Sequence, residues 1–391
     1  MHRSTSGFID ASRWMAACLV LMSHLRSLAF ANYDSVALHT LPVAAMYFVC
    51  SLGHAAVIIF FVVSGYLVGG RTLLRARRAT VSLVDFASHR MARIYVVLLP
   101  ALLTGYCLDW IGLHLVDRTG LYTHQAPWHI WSLDYAVSDR LSLWSLAGNS
   151  LMLQTIAVPP LGSNGALWSL ANEWWYYVAF AQCLILLRPR PLALRLGAAA
   201  ILALLGLAMP AGLSLLFLVW CVGVGAAVLD ERWQGVSPGI ALLAFIAVVT
   251  CIRTRNEAGL SPIMTDLAIA TAYSLALLSA KRLPQSWWHP VHRHLARFSY
   301  SIYLVHFPAM LLVLAATNRI FHRGIAEQPT WPAVAAAGGL VMALYAYSWG
   351  FSRLTEARTE ICRLALLRWC GLSHRGRLQA ETPGVSKGVL F

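Results

Sequence analysis

The ionisable side chains Asp10, Arg13 and His24 lie within one apolar stretch, FIDASRWMAACLVLMSHLRSLAF, from Phe8 to Phe30. Arg13 and His24 are eleven residues apart. On a helix that is about 16 Å, roughly half a hydrocarbon core, and about three turns place the two on nearly one face. Such groups are rare in membrane helices because each costs several kcal/mol, and they usually face a cavity or a partner. The ordinary explanation is that Arg13 snorkels to the interface and His24 is a hydrogen-bonded packing residue.

Three further groups add to this one. His89, Arg90 and Arg93 open another apolar stretch, and Arg90 and Arg93, at i and i+3, share a helix face that could grip a phosphate. Glu173 lies inside ALWSLANEWWYYVAF among Trp174, Trp175, Tyr176 and Tyr177. Some seven residues into its stretch, about 10 Å deep, it is too short to reach water, so a lined cavity is expected around it. In ARFSYSIYLVHFP, Arg297 and Ser301 accompany Ser299, Tyr303 and His306, which follow i, i+4, i+7 spacing and form a polar stripe on one helix face. Interhelical hydrogen bonding is the competing explanation for that stripe.

The elements that must position these residues are helical. The 391-residue chain is 59% hydrophobic and 12% charged with mean hydropathy +0.63, which excludes an ordinary soluble domain and describes an all-α polytopic membrane protein. Ten spans are expected at 8–30, 44–69, 91–115, 166–187, 194–209, 211–229, 237–252, 263–280, 299–318 and 332–354. The first is too long for the apolar core of a cleavable signal and is expected to remain as a span.

Net charge is +14, and of the 30 basic residues only Lys281 and Lys387 are lysine. Twenty-two of them fall on one side of the ten spans and seven on the other, with Arg13 left inside. The positive-inside rule therefore puts both termini in the cytoplasm, and a basic face on anionic lipid accounts for the charge without a nucleic-acid partner. The eight cysteines lie mostly in apolar runs without CxxC spacing, so neither a metal site nor a disulfide framework is expected. Residues 1–372 are read as a single transmembrane domain and 373–391 as a disordered tail. In the long outer loop, Leu141 to Ala157 is expected to be re-entrant or interfacial, and the middle of the arginine-dense stretch Gly69 to Tyr95 could lie as an interfacial helix. No internal repeat is visible, which disfavours an inverted-repeat transporter.

Helix depth then orders the groups. Arg13, Arg90, Arg93 and His306 are expected toward the cytoplasm, and His24 and Glu173 at similar depth further out. This describes a cationic inner mouth for a phosphate-rich donor leading to an acid/base pair. A neutral imidazole at His24 suits removal of a hydroxyl proton as the oxygen attacks a thioester carbonyl, with Glu173 orienting the imidazolium or acting as the base itself.

The sequence resembles acyltransferase family 3, the integral-membrane enzymes that O-acylate bacterial glycans and some antibiotics and lipids. The matching pieces are Asp10 and Arg13 followed by His24, FFVVSGYL from Phe60 to Leu67, Arg90 and Arg93 before Ile94 and Tyr95, LWSLANEWWYY around Glu173, and FSYSIYLVHFP from Phe298 to Pro308. The resemblance implies a ten-span fold in a bacterial inner membrane. It implies cytoplasmic acyl-CoA, expected to be acetyl-CoA, as donor, and transfer to a hydroxyl of a cell-surface or exported glycan without a metal. His24, Glu173 and Asp10 are then the expected catalytic residues, and Arg13, Arg90, Arg93, Ser301, Tyr303 and His306 the donor-binding ones. A lipid or small-molecule acceptor, and a transporter with a His24–Glu173–His306 proton relay, are the competing readings, and a homo-oligomer is left open. Trp174 and Trp175 stand where family members often carry another acid or a glutamine, and no fused esterase-like domain is expected behind the tenth span.

Overall fold

The computed structural model describes residues 2–79, 81–233, 235–254, 259, 261–284 and 289–370; the expected tail, 373–391, lies outside them. In chain order the helices are α1 (Arg3–Ala29), α2 (Leu41–Cys50), α3 (Gly53–Ser64), α4 (Arg71–Arg78), α5 (Leu83–Ile111), α6 (Val137–Arg140), α7 (Leu143–Ser150) and α8 (Leu167–Leu186). They continue with α9 (Leu192–Ala208), α10 (Ala211–Asp230), α11 (Pro238–Thr254), α12 (Pro262–Ser279), α13 (His289–Ala296), α14 (Ser299–Phe321), α15 (Trp331–Leu354) and α16 (Thr359–Trp369). Among the described residues the only β-type pairings are isolated bridges, Phe30 with Glu327 and Gln154 with Val158.

Among the described residues six helical stretches are long and apolar enough to cross a membrane: Leu41–Arg78, Leu83–Val116, Ala211–Asp230, Pro262–Arg282, Ser299–Phe321 and Trp331–Trp369. Two shorter apolar helices, α9 and α11, accompany them. Side-chain exposure fits a lipid surround, since Leu204 and Leu207 of α9 are 64% and 86% exposed and water would penalise that much apolar surface. Helices α1 and α8 have the length, 27 and 20 residues, but carry Asp10, Arg13 and His24, and Asn172 and Glu173. Their polarity is turned inward: Asp10 and Asn172 are buried.

Local chemistry sets the helix ends. Ser82 caps α5 by accepting the amide of Asp85, whose own charge favours the helix start, and Ser142 caps α7 through Ser145. Pro42, Pro262 and Pro332 occupy first-turn positions, where no amide hydrogen is required. The stretch from 44 to 69 is interrupted at Ser51 and Leu52, and after Ser64 it continues through a π-type turn, Gly65–Gly70, directly into α4. Glycine is required where α3 and the π-type turn after it touch α10, because a Cβ at Gly65 would collide with the Trp220 carbonyl and one at Gly223 with that of Val62. Trp220, Tyr66 and Tyr176 fill the core around this crossing. Helix α1 packs between α3 and α14, and α14 also packs on α5, which gathers the polar residues of α1, α5, α8 and α14 along one interior seam.

Candidate functional site

The seam holds a pair of histidines. His24 on α1 and His306 on α14 lie 2.8 Å apart, Nδ1 to Nε2, with rings 6° from parallel. His306 is fully buried, and its Nδ1 lies 2.8 Å from the Ile302 carbonyl and 3.0 Å from that of Tyr303. Carbonyl oxygens only accept, so His306 Nδ1 carries the proton and its Nε2, in the neutral ring, is a lone pair. His24 Nδ1 must then donate to it. The remaining nitrogen, His24 Nε2, is left as an unprotonated acceptor, fixed in direction by the chain of bonds behind it. The edge of Phe307 packs against the same imidazole, with centroids 5.0 Å apart.

Below the pair, on the side of the arginine-rich loops, a cavity of about 2240 Å³ runs among α1, α3, α5, α8, α13 and α14. Nine arginines line it, Arg3, Arg13, Arg71, Arg75, Arg90, Arg93, Arg293, Arg297 and Arg353, against four carboxylates, Asp10, Asp85, Glu173 and Glu356. Its interior is therefore strongly cationic, and guanidinium groups suit bidentate phosphate binding. Inside it Arg13 Nη2 lies 3.4 Å from Ser299 Oγ, Arg90 packs over the Tyr177 ring, and Arg93 sits over Tyr300 and 3.5 Å from Glu356. Its wall ends at Phe60, Ser169 and Tyr303, where Tyr303 and Ser169 hydroxyls bond at 2.6 Å, one turn of α14 before His306. Neither histidine of the pair is among its lining residues.

Residues 6–349 match a family model described as an acyltransferase domain. The chain belongs to acyltransferase family 3. A curated relative, an O-acetyl transferase of Shigella phage Sf6, is 30% identical over 179 residues, 46% of this chain and 45% of that protein. The match thus spans about half the length of that relative. No solved structure matches the chain.

Arg13, Arg90, Arg93 and Tyr303 share the cavity with His89, Arg297 and Ser299. Asp10 lines it too, with Oδ2 buried and free of a hydrogen-bond partner among the described residues. The expected pairing of His24 with Glu173 changes. His24 bonds His306 rather than Glu173, and Glu173 instead accepts a short hydrogen bond from Tyr177, whose hydroxyl also meets Ser64 Oγ at 3.0 Å. The reason is depth. Helix α8 does not start at the surface, since Ser163 and Asn164 just before it are already buried and Asn164 reaches the Leu304 carbonyl. Nine residues further, about 13 Å on, Glu173 has passed the histidine level and reached the arginines. His306 correspondingly lies beside His24 and not at the mouth. Arg13 contacts Ser299, and about two turns beyond Ser299 and three beyond Arg13 each helix presents its histidine, the long Arg13 side chain absorbing the difference.

Ser301 is not among the lining residues of the cavity: its amide and hydroxyl both donate to Glu356, which is, at 3.3 and 2.9 Å. Glu356 was not singled out in the sequence. It follows α15 in a basic stretch, where an acid reads as a solvated counter-charge, yet its side chain is only 6% exposed. There it caps the first turn of α14 and holds Arg93, a role that its neighbours in sequence do not signal.

Proposed function

We propose that the protein transfers an acyl group, with acetyl as the expected case, from cytoplasmic acyl-CoA to a hydroxyl of a cell-surface or exported glycan. The observation that carries this reading is the oriented pair: His24 Nε2 is left as a free base at the end of the His306–His24 chain, beyond an arginine-lined cavity sized for a nucleotide-bearing donor. The arginines hold the donor's phosphates, and its thioester end extends past Tyr303 toward the pair. As the acceptor oxygen attacks the thioester carbon, His24 Nε2 takes the hydroxyl proton. His306 Nε2 and the Ile302 and Tyr303 carbonyls stabilise the resulting imidazolium. The C–S bond then breaks and the thiolate leaves, recovering the proton as a thiol.

The same reading treats residues 1–372 as one transmembrane domain that crosses a bacterial inner membrane ten times with both termini in the cytoplasm. A donor drawn from the cytoplasm and an acceptor outside require such a path. The test is transfer of label from radioactive acetyl-CoA to envelope glycans, by purified full-length protein in nanodiscs. Label in the glycan fraction that depends on His24 is the expected result. Label that appears only in lipid would move the acceptor to that class, and no transfer with intact donor binding would reject the enzyme reading.

A further inference from the structure

Pro308 sits inside α14 and has no amide hydrogen, so the carbonyl of Leu304, four residues earlier, loses its helical partner. A bare carbonyl in a buried seam is costly. The structure supplies the missing donor from elsewhere: Asn164 Nδ2 donates to Leu304 O at 2.7 Å. Asn164 is itself only 4% exposed, its Oδ1 is buried without a hydrogen-bond partner among the described residues, and its backbone is fixed through the residues before it. The preceding Ser163 donates from its amide and its hydroxyl to Asp109 of α5, each at 2.7 Å, and its carbonyl accepts the Tyr135 hydroxyl at 3.0 Å. Gly162 completes the turn at φ +54°, where a Cβ would collide with Asp109.

Leu304 is two residues from His306, and the carbonyls that hold His306 Nδ1, Ile302 and Tyr303, immediately precede it. We infer that Asn164 is a positioning residue: by giving Leu304 the hydrogen bond that Pro308 withholds, it sets the turn of α14 that keeps His306 against His24. Without it, the turn rotates to satisfy the Leu304 carbonyl elsewhere, and the neighbouring carbonyls that orient His306 move with it. The inference rests on the reading of His24 as the base.

The experiment compares Asn164→Ala, Asn164→Asp, Pro308→Ala, Asn164→Ala/Pro308→Ala and, as reference, His24→Ala. Each is made as full-length protein in nanodiscs and assayed for label transfer from acetyl-CoA to envelope glycans, with acetyl-CoA binding measured separately. Asn164→Ala and Asn164→Asp, which lacks the donor, are expected to lower kcat about 10- to 100-fold, the cost of a misplaced catalytic group, with the donor KM within about twofold. Alanine at 308 restores an amide hydrogen to Leu304, so in that background Asn164→Ala should cost less than about threefold. An Asn164→Ala protein that fails to fold should regain a monodisperse peak in the Pro308→Ala background. An equal loss in both backgrounds, a loss confined to KM, or no recovery of folding overturns the inference. Normal transfer by His24→Ala would reject the base assignment, and the inference with it, whereas an inactive His24→Ala beside a normal Asn164→Ala rejects the inference alone.

Discussion

His24 and His306 illustrate what single residues can and cannot reveal. An imidazole half-way into an apolar helix is visible in the sequence as a group needing a reason. Its partner, 282 residues away, is not, because only the relative depth of α1 and α14 decides which polar residue it meets. If His24 Nε2 is the base and His306 orients it, His24→Ala and His306→Ala should each cut transfer about 10²–10⁴-fold while acetyl-CoA still binds. The double substitution should cost little more than either, since the two act as one unit. Initial rates with labelled acetyl-CoA check this, and additive losses would separate the pair. Glu173 makes a contrasting prediction. It faces the arginines and Tyr177 rather than His24, so Glu173→Gln should act chiefly on the apparent donor KM, not on kcat.

At the scale of elements, two arginines one turn apart on α5 and one glutamate after α15 shape the cavity. Charge-assisted hydrogen bonds contribute about 1.5–3 kcal/mol each, so replacing both Arg90 and Arg93 with alanine should weaken acetyl-CoA binding by at least about a hundredfold. Equilibrium binding by the purified protein reads this directly, and unchanged binding would return the pair to membrane anchoring. Glu356 accepts from Ser301 at the first turn of α14, so Glu356→Ala should lower the apparent melting midpoint of the solubilised protein. Glu356→Gln keeps an acceptor oxygen and should recover most of that loss. The ten expected stretches each fall on a helix, because apolar runs of that length have few other structures open to them. What the pattern missed was where helices break or begin. The interruption at Ser51 and Leu52 and the burial of Ser163 and Asn164 come from packing between distant segments, and the second of these misplaced Glu173 by more than two turns. The outer stretch read as re-entrant or interfacial contains one short helix, α7, whose own Ser145 and Asn149 are buried. The arginine-dense stretch divides between α4, an extension of the preceding helix, and the start of α5, with no separate helix lying between them among the described residues.

For the whole molecule, the distribution of charge and the position of the cavity bear on one question, the orientation in the membrane. Twenty-two basic residues belong to loops and termini on one side of the ten stretches and seven to the other. The cavity opens among the first set, since Arg3, Arg71, Arg75, Arg293 and Arg353 line it. The proposed donor is made in the cytoplasm and can enter only if that side faces the cytoplasm, so on that proposal the positive-inside rule and the donor's origin predict the same orientation. Reporter fusions near Arg78 and after Lys387 should then read as cytoplasmic and a fusion near His124 as periplasmic. The middle fusion carries the most weight, because His124 lies in the long loop that leads through Ser163 and Asn164 into α8, on the histidine side of the cavity. If that fusion also read as cytoplasmic, α5 would not cross the bilayer and the path from arginines to histidines would run along one face. A periplasmic signal after Lys387 would instead mean an odd number of crossings. With the donor cavity still facing the cytoplasm, the error would then lie among α9, α10, α11 and α12, where two of the four helices, α9 and α11 at 17 residues each, sit at the lower limit of the length a span needs.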